Sequence, residues 1–101
     1  MIDVVKISKA LCDPIRYKIM LMLLAHHSHE LSCCAAGHGG ACNCEIMAEF
    51  GMIQSRVSYH MKELTGAGLV NEEPKGKWKY YYINLDTLQK YTQQIGVDFK
   101  F

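Results

Sequence analysis

The stretch of the chain that decides its fold runs from residue 44 to residue 68 and reads CEIMAEFGMIQSRVSYHMKELTGAG. Apolar residues recur in it at helical spacing, first over residues 44–50 and again over residues 54–65. Gly51 is suited to end the first helix in a left-handed conformation, and Gly66-Ala67-Gly68 is suited to end the second. Two short helices joined by a tight turn that contains glycine predict a helix-turn-helix.

Two further helices are predicted before this unit. Residues 2–12 place apolar side chains three and four positions apart, as in a short amphipathic helix. Asp13-Pro14 combines a good N-cap with a proline at the first helical position, so a second helix begins there. This helix is apolar almost all round, and we expect it to be the central core helix. Residues 28–41 lack periodicity and predict a loop, of a length that is uncommon without a function.

A hairpin and a last helix are predicted after the helix-turn-helix. Residues 69–73 and 78–84 are β-prone and flank Pro74-Lys75-Gly76-Lys77, which has the composition of a turn. Residues 86–95 predict the last helix. The chain is therefore expected to be a single domain over residues 1–101. It is mainly α with a small antiparallel β-hairpin: a winged helix-turn-helix of about five helices and a two-stranded wing.

Composition narrows the function classes. The 11 Lys and Arg against 10 Asp and Glu give a net charge of +1, so any nucleic-acid surface must be local. The longest apolar stretch, residues 19–25, is far shorter than the roughly 20 residues that a membrane helix needs. The N-terminus lacks the apolar core of a signal peptide, so we expect a cytoplasmic protein without a membrane partner. No recognisable catalytic constellation is present, so we expect neither an enzyme nor an organic cofactor.

The second helix of the helix-turn-helix has a polar face suited to DNA. Val57, Met61 and Leu64 form its buried stripe, which leaves a cation, hydroxyls and an aromatic ring on the opposite side. Such groups read base edges in a major groove, and lysines at the hairpin tip meet phosphates. An ordinary solvated surface explains these residues equally well by composition, but the order of helix, turn, helix and basic hairpin favours DNA. The candidate DNA-binding residues are Gln54, Ser55, Arg56, Ser58, Tyr59, Lys62, Lys75 and Lys77.

Eight potential soft ligands lie within nineteen residues, between His26 and Cys44. In a reduced compartment, cysteines at this density favour metal or redox chemistry over structural disulfides. Thiolates bind thiophilic ions such as As(III), Cd(II) and Zn(II). The candidate metal ligands are Cys33, Cys34, Cys42 and Cys44, with Cys12 and His38 as additional candidates. The histidines near the end of the second helix, His26, His27 and His29, are expected to cap it or to be solvated.

Local geometry limits how Cys42 and Cys44 cooperate. Residues two apart on a helix point about 200° away from each other, so the pair binds one ion only if Cys42 lies in extended chain. With Asn43 as the N-cap and Cys44 as the first helical residue, the two sulfurs converge. The helix N-terminus then favours the thiolate form of Cys44.

Three segments resemble the ArsR/SmtB family of metal-responsive bacterial repressors. Leu11-Cys12-Asp13-Pro14-Ile15-Arg16 is similar to its opening signature, residues 54–70 to its recognition helix and exit turn, and residues 75–82 to its wing. The resemblance implies a homodimer, built on the first and last helices, that binds an imperfect inverted repeat in operator DNA and represses transcription until an inducer binds. The apolar stripes on the first and last helices are consistent with such a dimer, although stripes of this kind also pack into the core of a single chain. The candidate dimer residues are Val4, Ile7, Leu11, Leu88, Tyr91 and Ile95.

Cys42-Asn43-Cys44-Glu45 resembles the Cys-x-Cys-acid motif of arsenic and cadmium sensors in this family. The resemblance implies As(III) as the inducer, with Sb(III), Cd(II) and Zn(II) as alternatives. Arsenic sensors often have a further cysteine where this chain has Met47, so a third donor is expected from Cys33, Cys34 or Cys12. The family's zinc site on the last helix is not expected, because residues 86–95 contain no histidine. His60 matches a family position and is expected to be structural or phosphate-binding.

Three alternatives remain. One is a repressor of the same fold switched by thiol oxidation, in which Cys33 or Cys34 forms a disulfide with Cys42 or Cys44. Another is a repressor that responds to Cd, Zn or Pb. The third is a small zinc-binding or metal-buffering module without DNA function. Charge reversal at Arg56 and Lys62 would leave the activity of such a module unchanged.

Overall fold

The architecture follows from a computed structural model that describes residues 2–28 and 39–101. These residues form five α-helices and a three-stranded antiparallel sheet, and the predicted order of helices and hairpin is confirmed. The elements are α1 (Val4–Leu11), α2 (Pro14–His27), β1 (Ala41–Cys42), α3 (Asn43–Phe50), α4 (Gln54–Gly66), β2 (Val70–Lys75), β3 (Trp78–Ile83) and α5 (Leu85–Asp98).

The first two helices begin at aspartate caps. Asp3 accepts the Lys6 N–H at 3.1 Å, so α1 starts two residues later than predicted. Asp13 accepts the N–H groups of Ile15 and Arg16 at 2.8 and 3.3 Å, as predicted for the start of α2. Burial acts to raise the pKa of Asp13, but these hydrogen bonds and the Arg16 charge outweigh it and lower the pKa overall.

The core lies between α2, the helix-turn-helix and the inner face of the sheet. Ile19 and Leu23 of α2 are fully buried together with Ile46, Leu64 and Tyr81 from the elements around it. Helix α2 contributes to the core as predicted, but its apolar surface is not buried on every side. One side of the helix is open, with three large apolar side chains 41–54% exposed: Tyr17, Leu21 and Leu24.

The wing is a hairpin of β2 and β3 with a two-residue turn. The pairing runs from Val70 opposite Ile83 to Lys75 opposite Trp78. Gly76 has a φ of 63°, which glycine adopts at little cost. The predicted four-residue turn is too wide, because Pro74 and Lys75 belong to β2. Strand β2 is at the edge of the sheet, where a proline without an N–H is tolerated.

The sheet has a third strand that the sequence did not predict. Ala41 and Cys42 form β1, which pairs with β3 opposite Tyr81 and Tyr80. The predicted loop over residues 28–41 therefore ends earlier than expected, and most of it lies outside the described residues. A two-residue strand is too short to leave a periodic pattern.

The last helix packs against the first. Asn84 caps α5 by accepting the Thr87 N–H at 3.2 Å, and the helix extends to Asp98, three residues beyond the prediction. The Ser8 and Tyr91 hydroxyls share a hydrogen bond of 2.7 Å between α1 and α5. None of the helices in the described part of the chain is long and apolar enough to cross a membrane.

Candidate DNA interface and cysteine site

The exposed face of α4 carries the residues predicted to contact DNA. Val57, Met61 and Leu64 are buried in the core, as the helical periodicity predicts. The opposite side is exposed and presents Gln54, Ser55, Arg56, Ser58, Tyr59 and Lys62. Within residues 2–28 and 39–101, neither of the two cations on this face forms an ion pair. The face therefore offers cationic, hydroxyl and aromatic groups to an external ligand.

A buried polar network holds α4 against α2. The Arg16 Nε–H donates to the Ala10 carbonyl oxygen at 2.7 Å, and Arg16 Nη1 lies 3.2 Å from Nδ1 of His60. Because a guanidinium only donates, Nδ1 is the acceptor and the imidazole proton is on Nε2, which is buried without a partner among the described residues. Burial, together with the charges of Arg16 and Arg56, lowers the pKa of His60, while Asp13 acts in the opposite direction. Of the two roles expected for His60, this placement supports the structural one.

The tip of the wing is basic. Lys77 lies in the turn, with its Nζ 5.4 Å from the centre of the Trp78 ring. Lys75 Nζ is 3.2 Å from Glu73 Oε1 and 5.5 Å from the centre of the Tyr80 ring, so an acid of the same strand partly balances its charge. Lys77 has no such ion pair among the residues that the structure describes. Of the two predicted wing contacts, Lys77 is the more available to a phosphate.

Cys42 and Cys44 are joined by a disulfide, with their Cα atoms 5.3 Å apart. Cys42 is extended (φ −80°, ψ 158°), so the prediction that it lies outside the helix is confirmed. The predicted cap is wrong by one residue, because the N-cap is Cys42 and Asn43 already belongs to α3. The side chains of Cys42 and Cys44 therefore point towards each other, with their sulfurs bonded.

Glu45 contacts the backbone of this cysteine pair, and His26 contacts Glu45 in turn. Glu45 Oε1 accepts the N–H of Cys42 at 3.2 Å, and Glu45 Oε2 lies 2.8 Å from His26 Nε2. His26 Nδ1 is 3.0 Å from the Met22 carbonyl oxygen, so both ring nitrogens face acceptors. The solvated role expected for His26 is wrong, because its side chain and that of Glu45 are each 5% exposed.

The sequence identified Glu45 only as the acid of the Cys-x-Cys-acid motif and placed His26 at a helix end, so the contact between them was not predicted. One signal for Glu45 was available: an acid three residues after an N-cap is the spacing of a capping box. Nothing in the local pattern marks His26, because its partner is nineteen residues away on another helix.

The cysteine pair is also connected to the wing. Cys42 lies opposite Tyr80 in the pairing of β1 with β3. The next residue, Asn43, is buried, and its Oδ1 accepts the N–H of Lys79 at 3.3 Å. This contact explains why Asn43 does not cap α3, since its side chain is engaged by the wing. The start of α3 is thus bonded to the strand that leads to the wing tip.

In the described part of the chain, no other predicted ligand lies at this cysteine pair. Cys12 is an exposed thiol at the C-cap of α1, and His27 is exposed at the end of α2. Cys33, Cys34, His38 and His29 lie outside the described residues. Within residues 2–28 and 39–101, no three His, Cys, Asp or Glu side chains are grouped as a metal site.

A comparison with protein families identifies the helix-turn-helix region of the chain. The family described as "Bacterial regulatory protein, arsR family" matches residues 37–72, which include α3 and α4. An uncharacterised HTH-type transcriptional regulator of Methanocaldococcus jannaschii, MJ1325, is 32% identical over 85 residues, covering 84% of this chain and 82% of that protein. The chain belongs to the ArsR family of transcriptional regulators. This membership places it among DNA-binding regulators rather than enzymes, as predicted.

Two further relatives of this ArsR-family chain are informative. The arsenical resistance operon repressor of Bacillus subtilis is 37% identical over 76 residues, which are 75% of this chain but only 61% of the repressor's length. The solution structure of a homodimeric winged helix-turn-helix DNA-binding domain, Mb0332 of Mycobacterium bovis, matches with a TM-score of 0.68 at 24% identity. That match covers 94% of this chain and 78% of the other, and it confirms the winged helix-turn-helix fold.

In this ArsR-family chain, the predicted dimer residues divide into two groups. Ile7 is 1% exposed and packs in the core of the single chain, so it has almost no surface to offer a partner. The others, Val4, Leu11, Leu88, Tyr91 and Ile95, are half-buried. Leu11, Leu88 and Tyr91 line an apolar groove of about 290 Å³ together with Tyr17, Leu21 and Leu24 of α2. The open side of α2 therefore adjoins the face predicted for dimerisation.

Proposed function

We propose that this ArsR-family protein is a cytoplasmic, single-domain homodimeric repressor that leaves its operator when cysteine thiolates bind a thiophilic ion, As(III) or Sb(III). The observation that carries the proposal is the convergence of Cys42 and Cys44 at the start of α3, the helix that precedes the recognition helix α4. A relative named as an arsenical resistance operon repressor supports the choice of ion.

The donor set fits this class of ion in part. The two converging cysteines supply two soft sulfur donors, which favour thiophilic ions over Mg²⁺ or Ca²⁺. Both must first be reduced, because the ligand is the thiolate. Each cysteine thiol gives up its proton when an As–S bond forms, and one hydroxyl of arsenite leaves with that proton as water. The third donor is proposed among Cys33, Cys34 and Cys12, with His38 as a supplementary ligand.

The position of the pair couples ligand binding to DNA binding. Cys42 is in β1, which is hydrogen-bonded to the wing strand β3, and α3 packs directly against α4. A change in the spacing of the two sulfurs therefore moves both DNA-contacting elements relative to the dimer axis. A coupling of about 1–3 kcal/mol between the two sites corresponds to a change of about 5–150-fold in operator affinity.

The dimer is proposed to form through α1, α5 and the groove between α2 and α5. Three large, exposed apolar side chains of α2 line that groove, and such an apolar patch is unusual for a surface with no partner. A twofold dimer places two copies of α4 on an inverted repeat. Arg56, Lys62 and the other exposed α4 residues contact bases and phosphates, while Lys75 and Lys77 contact phosphates beside them.

The test is release of DNA by arsenite under reducing conditions. A fluorescent duplex with the inverted repeat that the protein selects from a random pool serves as the operator duplex. We expect arsenite to weaken binding by the reduced wild type, and the double variant Cys42→Ser/Cys44→Ser to stay bound at every arsenite concentration. Single serine variants of Cys12, Cys33 and Cys34 identify the third donor by loss of the response. Continued binding by the reduced wild type, or release of the double variant, would refute the proposal.

A second candidate function is supported by the bond between Cys42 and Cys44. It makes the protein a repressor switched by thiol oxidation, with two thiols losing two electrons and two protons to an oxidant as the disulfide forms. The pairing differs from the expected one with Cys33 or Cys34, since Cys42 and Cys44 are bonded to each other. Release by diamide but not by arsenite in reductant would select this function.

A further inference from the structure

We propose that His26 and Glu45 are positioning residues for the cysteine pair, holding Cys42 so that both sulfurs point to one ligand; the inference rests on the proposed function. Glu45 is the link, because one carboxylate oxygen accepts the Cys42 N–H at 3.2 Å and the other faces the His26 ring at 2.8 Å. Cys42 belongs to β1, Glu45 to α3 and His26 to α2, so these contacts join three elements at the site.

The backbone of Cys42 needs such support. It is the last residue of a two-residue strand and the N-cap of α3, so its N–H lies outside the helical hydrogen bonds. Rotation about this residue would turn its sulfur away from Cys44, which is fixed by the first turn of α3. The Glu45 carboxylate holds the Cys42 N–H and thereby opposes that rotation.

His26 orients the carboxylate in turn. The ring is anchored at its other nitrogen by the Met22 carbonyl of α2, at 3.0 Å, and is almost fully buried. With both ring nitrogens facing acceptors, His26 presents a donor to Glu45 from a fixed direction. Supporting groups of this kind, which touch the ligand-bearing residue rather than the ion, change metal affinity by about 10–100-fold when removed.

The chain offers matched controls for both residues. His27 follows His26 on α2 but is exposed, and Glu49 lies one turn after Glu45 on α3 and is also exposed. Changes at His27 and Glu49 alter charge and helix composition in the same way without touching Cys42.

The test measures binding of phenylarsine oxide to a reduced chain that keeps only Cys42 and Cys44, with Cys12, Cys33 and Cys34 replaced by serine. The two thiols form two As–S bonds, the oxide oxygen leaves as water with both thiol protons, and no oxidation state changes. The affinity for phenylarsine oxide is obtained by competition with dithiothreitol. Operator affinity and the melting temperature are measured on the same samples. We expect His26→Gln and Glu45→Gln to weaken phenylarsine oxide binding by about 10–100-fold. His27→Gln and Glu49→Gln should stay within about twofold of the parent chain.

A second measurement needs no variant that might unfold. In the reduced wild type, the amide proton of Cys42 should exchange slowly with solvent, because the Glu45 carboxylate holds it in a buried position. Rapid exchange of this proton, or unchanged phenylarsine oxide affinity in folded His26→Gln and Glu45→Gln, would overturn the positioning role. Neither result depends on whether arsenite releases the operator. Failure of the repressor proposal, which is tested by DNA release, can therefore be distinguished from failure of the positioning role.

Discussion

Replacing Lys77 with alanine tests whether the wing contacts DNA phosphates. Lys77 lies at the tip of the hairpin, packs over the Trp78 ring and has no ion pair among the described residues. Each phosphate that a protein cation neutralises contributes about 0.9 to the slope of log affinity against log salt. Because the proposed dimer carries the residue twice, Lys77→Ala should reduce the magnitude of that slope by about 1.8.

This slope difference has a direct consequence for measured affinities. Between 50 and 200 mM salt, roughly the range over which such slopes are measured, the advantage of the wild type over Lys77→Ala should shrink by about 12-fold. The assay is fluorescence anisotropy with the operator duplex at four or more salt concentrations. Lys77→Arg keeps the charge and should restore the wild-type slope.

The matched control is Lys90→Ala. Lys90 is on α5, where its Nζ lies 3.0 Å from Asp86 Oδ2, so it belongs to neither the wing nor α4. We expect its salt slope to equal that of the wild type. Equal slopes for the wild type and Lys77→Ala would show that the wing tip does not contact phosphates, even if the affinity itself had changed.

Two further predictions concern the dimer and the buried histidine. Leu21 is 54% exposed beside the groove of α2 and α5, so Leu21→Glu should leave the monomer folded but weaken dimerisation by at least about tenfold, measured by sedimentation equilibrium. The pKa of His60 is lowered in the folded chain by burial and by Arg16 and Arg56, so below about pH 6.5 the unfolded chain takes up a proton that the folded ring does not. The His60 contribution to the free energy of unfolding should therefore fall as the pH decreases from about 6.5 towards the lowered pKa, with a slope of at most about 1.4 kcal/mol per pH unit. Denaturant unfolding of the wild type and His60→Gln between about pH 7.5 and 5.5, roughly one unit above and below the unfolded pKa of histidine, measures this contribution.

Either prediction has a clear contrary result. A dimer of unchanged strength in Leu21→Glu would place the subunit interface elsewhere. Identical pH dependence in the wild type and His60→Gln would mean that the ring takes up its proton equally in the folded and unfolded chains.

The sequence predicted the buried and the exposed side of α4 correctly because a helix repeats every 3.6 residues. Val57, Met61 and Leu64 had to share one side, and burial of that side exposes the opposite one. The same local reasoning placed Cys42 in extended chain before α3. It did not predict β1, since a two-residue strand exists only through its pairing with Tyr80 and Tyr81, some forty residues away.

The sequence by itself determined the order of the five helices and the hairpin, the helix caps at Asp13 and Gly51, and the clustering of soft ligands. All of these depend on backbone preferences and on residues within a few positions of one another. Only the tertiary structure decided that His26 is buried against Glu45 and that Asn43 is bonded to the wing instead of capping its helix. Those contacts join residues nineteen and thirty-six positions apart. A local pattern carries no information on which distant group will fill a buried hydrogen bond, because that choice is made when the elements pack together.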